Sequence, residues 1–140
     1  MAVGPPPADV ASAAAAGLSG LLAGALAFVS FVDSRTLWAL AEAGDEATLK
    51  SFFPVWWPRG RDMMLPLVLG TAGAHALAFF SSRDRAWLAS GAAVFCIGPY
   101  TALVMGEDIA ALRAAPEAGA GAIARRFCWA HQPRLVVSLA

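Results

Sequence analysis

Charge is scarce in this sequence. Lys, Arg, Asp and Glu make up 14% of the 140 residues and cancel to zero, whereas 59% of the chain is hydrophobic; a soluble domain carries about 25% charged and 45 to 50% apolar residues. No basic cluster interleaves with aromatics, which excludes a nucleic-acid partner. Cysteine is nearly absent. Cys96 sits in an apolar run, where it reads as a small buried hydrophobe, and Cys128 sits in a polar one. With no CxxC there is no disulfide framework, and cysteine usage leaves the compartment open. The opening MAVGPPPADV lacks the Lys or Arg of a secretory leader and the Arg-rich pattern of an organelle presequence. His75 and His131 form no HxxxH or HExxH motif, and Cys128 with His131 is a lone pair, so no metal site is expected. A phosphate loop and a dinucleotide fingerprint are also missing. GLSG at Gly17 to Gly20 lies inside an apolar run and so is no nucleophile elbow.

What is present is long uncharged stretches. Val10 to Val32 contains 23 residues between Asp9 and Asp33, a rise of about 35 Å as a helix against a hydrocarbon thickness of about 30 Å. Lipid satisfies no backbone N–H or C=O, so such a run must be helical. It is longer than a signal-peptide core and reads as an uncleaved span, although the small residues around Ala16 leave a removed signal open. Further spans are expected at 63–82 and 86–106, separated by the turn Arg83-Asp84-Arg85, with polar segments at 33–62 and 107–134. Residues 1–140 thus read as one all-α membrane domain, a helical bundle with short interfacial helices and lipid and other transmembrane helices as partners.

The polar segments carry their own signals. Asp45 after Gly44 predicts a capped helix that Pro54 ends near Phe53. Phe52, Phe53, Trp56 and Trp57 beside Arg59 and Arg61 predict an interfacial belt, which Trp38, Trp87 and Trp129 extend. A short helix is expected from Glu107 to Ala114, with Glu107 and Asp108 at a solvated end and Pro116 as the stop. Ala118 to Ala122 reads as a flexible linker, and Arg125 to Arg134 as a second interfacial set with only LVVSLA beyond it. Eight of the ten basic residues fall in the two long segments. By the positive-inside tendency these face cytoplasm, matrix or stroma, with the N-terminus outward.

Several polar or small residues within the spans are candidates for a site. His75 lies near the middle of the second span, where an ionisable group is costly unless it faces other helices or water. It reads either as functional or as an imidazole hydrogen-bonded across the bundle. Pro99 breaks the third span and frees the Phe95 carbonyl beside Tyr100 and Thr101. Gly17, Gly20 and Gly24 share an arc of about 60°, a helix-packing seam for a partner in the same or another chain.

The stretches GLLAGALAFVSFVD, FFPVWWPRGRDMMLPL, PYTALVMGEDIAALR and FCWAHQPR give the chain a resemblance to the anthrone-oxygenase-like family of small four-helix membrane proteins. The match runs from about Gly17 onward and is carried most by Pro99-Tyr100-Thr101 and by His131 with Arg134. It implies a four-helix bundle, and for some members the oxidation of anthrones by molecular oxygen without metal or flavin cofactor. In that family the fourth helix begins about where this chain stops, so a truncated fourth helix is expected. On this resemblance the chain is expected to be a cofactor-independent oxygenase of a lipophilic polycyclic phenol. His75 or His131 would assist deprotonation, and Tyr100 or Arg134 would stabilise the anion. The alternative is a non-catalytic accessory subunit of a larger membrane complex, packed through the glycine seam.

Overall fold

The computed structural model describes residues 7–114 and 119–139. They form an all-α bundle of α1 (Ala8–Phe28), a π-turn (Val29–Asp33), α2 (Ser34–Glu42), α3 (Glu46–Ser82), α4 (Arg85–Phe95), α5 (Ile97–Val104), α6 (Gly106–Arg113) and α7 (Ala120–Ser138). Three helical rods are long and apolar enough to cross a membrane: Ala8–Glu42, Glu46–Ser82 and Arg85–Val104. The first two rise about 50 and 55 Å, so each outruns a bilayer core by about 20 Å. Both surplus lengths lie at the end of the bundle that carries most of the basic residues, referred to below as the charged end.

Three packed layers stack along the rods. At the far end Ala11 and Ala15 of α1 meet Ala74 and Ala78 of α3, where small side chains let the backbones approach. In the middle Leu22 and Leu26 pack with Met64, Val68, Val94 and Ile97. At the charged end Leu37, Leu49, Phe53, Met105, Leu112 and Phe127 close a core in which Phe53 and Phe127 lie edge-to-face at 5.2 Å.

Local signals set several boundaries as expected. The Asp45 carboxylate accepts from the Thr48 N–H at 3.0 Å and from its hydroxyl at 2.6 Å, capping α3, and these bonds hold its pKa below the ordinary carboxylate value. Arg83 ends α3 in a left-handed conformation at φ 62°. The third rod breaks at Cys96, three residues before Pro99, because proline offers no N–H to the Phe95 carbonyl.

Other boundaries move. The expected stop at Pro54 does not occur: α3 runs on through Pro54, Pro58 and Pro66 into the second span. Each interior proline costs a helix about 3 kcal/mol, and here Leu49, Phe53, Trp56 and Trp57 hold the prolines in register by packing onto the charged-end core. Phe53 is buried in that core and Phe52, Trp56 and Trp57 are partly buried against it, whereas Trp129 is exposed. The first rod also continues past Val32, since Trp56 Nε1 donates to Asp33 at 3.0 Å and Leu37 and Ala41 are buried. Cys96 is exposed rather than buried. Asp108 is buried and paired with Arg126, not solvated, and its hydrogen bonds raise the Arg126 pKa. The expected break at Pro116, Ala118 of the linker and the opening MAVGPP lie outside the described residues.

Candidate functional site

The linker expected through Ala122 gives way to helix at Ala120, and α7 packs against α2, α6 and α1. Gly119, at φ 111°, starts it and donates to Glu46 at 3.1 Å. Arg125 donates to the Ala41 carbonyl at 3.2 Å, and a Cβ at Gly121 would come within 3.2 Å of that carbonyl oxygen. So pinned, α7 turns one stripe inward: Ala120, Ala124, Phe127, Cys128, His131, Arg134 and Ser138. Their spacing of three and four is that of a buried helical face.

Two members of that stripe are chemically out of place. His131 is fully buried, and neither ring nitrogen has a hydrogen-bond partner; the Leu26 carbonyl faces the ring without completing a bond. One turn on, Arg134 is 6% exposed. Its Nη1 reaches only the Met105 sulfur at 3.6 Å, Nε has no partner, and among the described residues it joins no ion pair. A buried charge without a counter-charge costs several kcal/mol, and a buried unsatisfied nitrogen about 1 to 3 kcal/mol. The helical Cα–Cβ tilt aims Arg134 back toward the charged end. Beside it a cavity of about 110 Å³ is lined by Cys96, Ile97, Tyr100, Pro133, Arg134 and Val137. Tyr100 donates its hydroxyl proton to the Ala130 carbonyl at 2.9 Å, leaving its oxygen free only to accept.

The other candidates stand apart. His75 shares a 2.8 Å hydrogen bond with Ser19, lies edge-on to Trp87 at 5.4 Å between ring centres, and backs onto Gly91. Ser19 and Leu26, the α1 residues facing the two histidines, are seven residues apart, about 10 Å along the axis. The histidines therefore occupy different levels of the bundle and share no site. Gly17, Gly20 and Gly24 are exposed, with open space where a Cβ would lie. Among the described residues no three His, Cys, Asp or Glu side chains converge as metal ligands.

Sequence reasoning overlooked Ser30, Ser34 and Met105. Ser30, inside the π-turn, and Ser34, directly after it, are each 3% exposed, and neither hydroxyl has a partner. Their i, i+4 spacing at the end of the first apolar run was the available signal. Compared with protein families, with curated proteins and with solved structures, the chain matches none.

Proposed function

We propose that the chain is a membrane-embedded oxygenase of the anthrone-oxygenase type, acting on a lipophilic polycyclic phenol with His131 as the base and Arg134 as the anion-stabilising cation. One observation carries this reading: among the described residues, an imidazole with both nitrogens unbonded and a guanidinium in no ion pair lie one turn apart in the interior. A phenol or enolisable ketone supplies what both lack. His131 accepts the proton, and the oxyanion takes N–H donors from Arg134, whose attraction is strong away from water. The electron-rich anion is then oxidised by molecular oxygen. For an anthrone the balance is one O₂ consumed: the ring methylene loses two hydrogens and gains one oxygen, and the second oxygen leaves as water. The 110 Å³ cavity reaches Arg134 but not His131 and accepts a ring edge rather than a tricycle, so contact with both requires α5 and α7 to part beside Pro133. His75, already bonded to Ser19, packs the bundle in this scheme. The rods cross the membrane with the charged end in the cytoplasm, matrix or stroma and the N-terminus outward.

The test is oxygen uptake by the purified protein with an anthrone. Uptake above the spontaneous rate is expected, falling by about 100-fold or more in His131→Gln. No uptake above the spontaneous rate removes the reading for this substrate class. A second reading, an accessory subunit of a larger complex, is favoured by the open glycine face of α1. Recovery from mild detergent only as a small isolated species counts against it.

A further inference from the structure

A second region is independent of the buried His131 and Arg134. Several hydroxyls of this bundle share a habit of bonding to their own helix: Thr36, Thr71, Ser82 and Thr101 each donate to the carbonyl four residues back, at 2.7 to 3.0 Å, and Ser51 and Ser138 to the one three back. That is how a helix satisfies serine and threonine without outside help. Ser30 and Ser34 break the habit, being buried to 97% with no partner for either Oγ. Ser30 lies within the π-turn and Ser34 closes it, its N–H reaching the Val29 carbonyl five residues back. Such widened turns recur at functional sites. The Ser34 carbonyl is occupied by the Cys128 thiol at 3.2 Å.

Both serines line a groove of about 560 Å³ between the first rod and α7. Its position along the rod is informative. Phe31, 60% exposed, belongs to the last turn of the uncharged run, and Arg35 follows one turn later. The groove thus crosses the depth at which hydrocarbon gives way to headgroups. Arg35 is exposed and among the described residues forms no ion pair. Of the two carboxylates nearest in sequence, Asp33 is held by Trp56, and Glu42, which lines the same groove, is held by Trp38 at 2.7 Å and not by Arg35. Trp129, 69% exposed and edge-on to Trp38, walls the polar end.

We propose that this groove is a binding site for one glycerophospholipid, its phosphate on Arg35, its ester carbonyls accepting from Ser30 and Ser34, and its acyl chains against Phe31. The chemistry fits level by level: a cation at phosphate depth, two unpaired donors at ester depth and an exposed aromatic at chain depth. A free phosphate would use Arg35 alone and leave both hydroxyls unsatisfied. The site depends on membrane insertion but not on oxygenase activity, so either reading can fail without the other.

The full chain, purified in mild detergent, is titrated with dioleoyl phosphatidylglycerol and, separately, with dioleoylglycerol, and adducts are counted by native mass spectrometry. One phosphatidylglycerol adduct is expected, with dioleoylglycerol retained poorly. Arg35→Gln and the double variant Ser30→Ala/Ser34→Ala should each bind phosphatidylglycerol about tenfold more weakly, while Arg113→Gln, at an exposed residue that does not line the groove, binds as wild type. Circular dichroism verifies that each variant is helical, and the Ser30→Ala single variant replaces the double one if that fails to fold. Equal retention of the two lipids, unchanged affinity in Arg35→Gln or the serine variant, or displacement of the lipid by equimolar inorganic phosphate would overturn the assignment.

Discussion

Replacing Arg134 by Met separates a residue kept for a ligand from one kept for the fold. Arg134 places a guanidinium in the interior where, among the described residues, its hydrogen bond goes to a thioether and it joins no ion pair. A buried cation left unpaired costs about 3 to 5 kcal/mol, and exchanging buried ionic groups for well-packed apolar ones is neutral or stabilising by about 1 to 4 kcal/mol. Met keeps most of the stem that packs beside Ile97 and Val137, so little packing is lost. The expected result is a gain of about 2 kcal/mol, at the middle of that range. Arg134→Ala gives less, because deleting the stem leaves a cavity of its own, with a penalty of about 2 kcal/mol or more. The assay is reversible unfolding in mixed micelles of dodecyl maltoside with increasing sodium dodecyl sulfate, followed by helical ellipticity. Oxygen uptake is measured on the same preparations. Greater stability with lost uptake is the signature of a group held at the expense of the fold. If Arg134→Met proves less stable than wild type, the guanidinium is structural and the reasoning fails.

Three other outcomes follow from particular contacts. Gly91→Ala would set a Cβ 2.8 Å from that of His75, and overpacking of about 1 to 3 kcal/mol should outweigh the helix propensity gained, about 1 kcal/mol; Gly73→Ala on α3 meets open space and should raise stability in the same micelle titration. Phe127→Ala removes the ring against Phe53 and Trp57 and should cost about 3 to 5 kcal/mol, read as a lower detergent midpoint. The Asp45 cap has a pKa below its ordinary 3.8 in the folded chain, so its contribution is complete above about pH 4 and is lost as pH falls through the lowered value. Hydrogen exchange at the Thr48 amide should accelerate there, and at neutral pH in Asp45→Ala; an unchanged rate in Asp45→Ala would show that the cap is idle.

Much of the one-dimensional organisation was legible in the residues alone. The uncharged run from Val10 to Val32, the turn at Arg83, the cap at Asp45 and the break before Pro99 are each decided within a few residues, by the reach of a helix, a left-handed backbone, a carboxylate beside free N–H groups and a missing donor. Tertiary packing decided the rest. Pro54 and Pro58 end a helix in isolation, but here the Phe53 and Trp57 face pairs with Phe127, 74 and 70 residues further along the chain and yet in direct ring contact. His131 and Arg134 read as an interfacial set because polar residues beside a tryptophan are wetted by default; only the docking of Gly121 on Ala41 turns them inward. In the same way His75 found its partner in Ser19, 56 residues away, and not in the other histidine. Hydropathy and local chemistry fix where a helix lies along the chain, whereas the face it turns inward depends on which neighbour fits against it, and that fit exists only once the chain has folded.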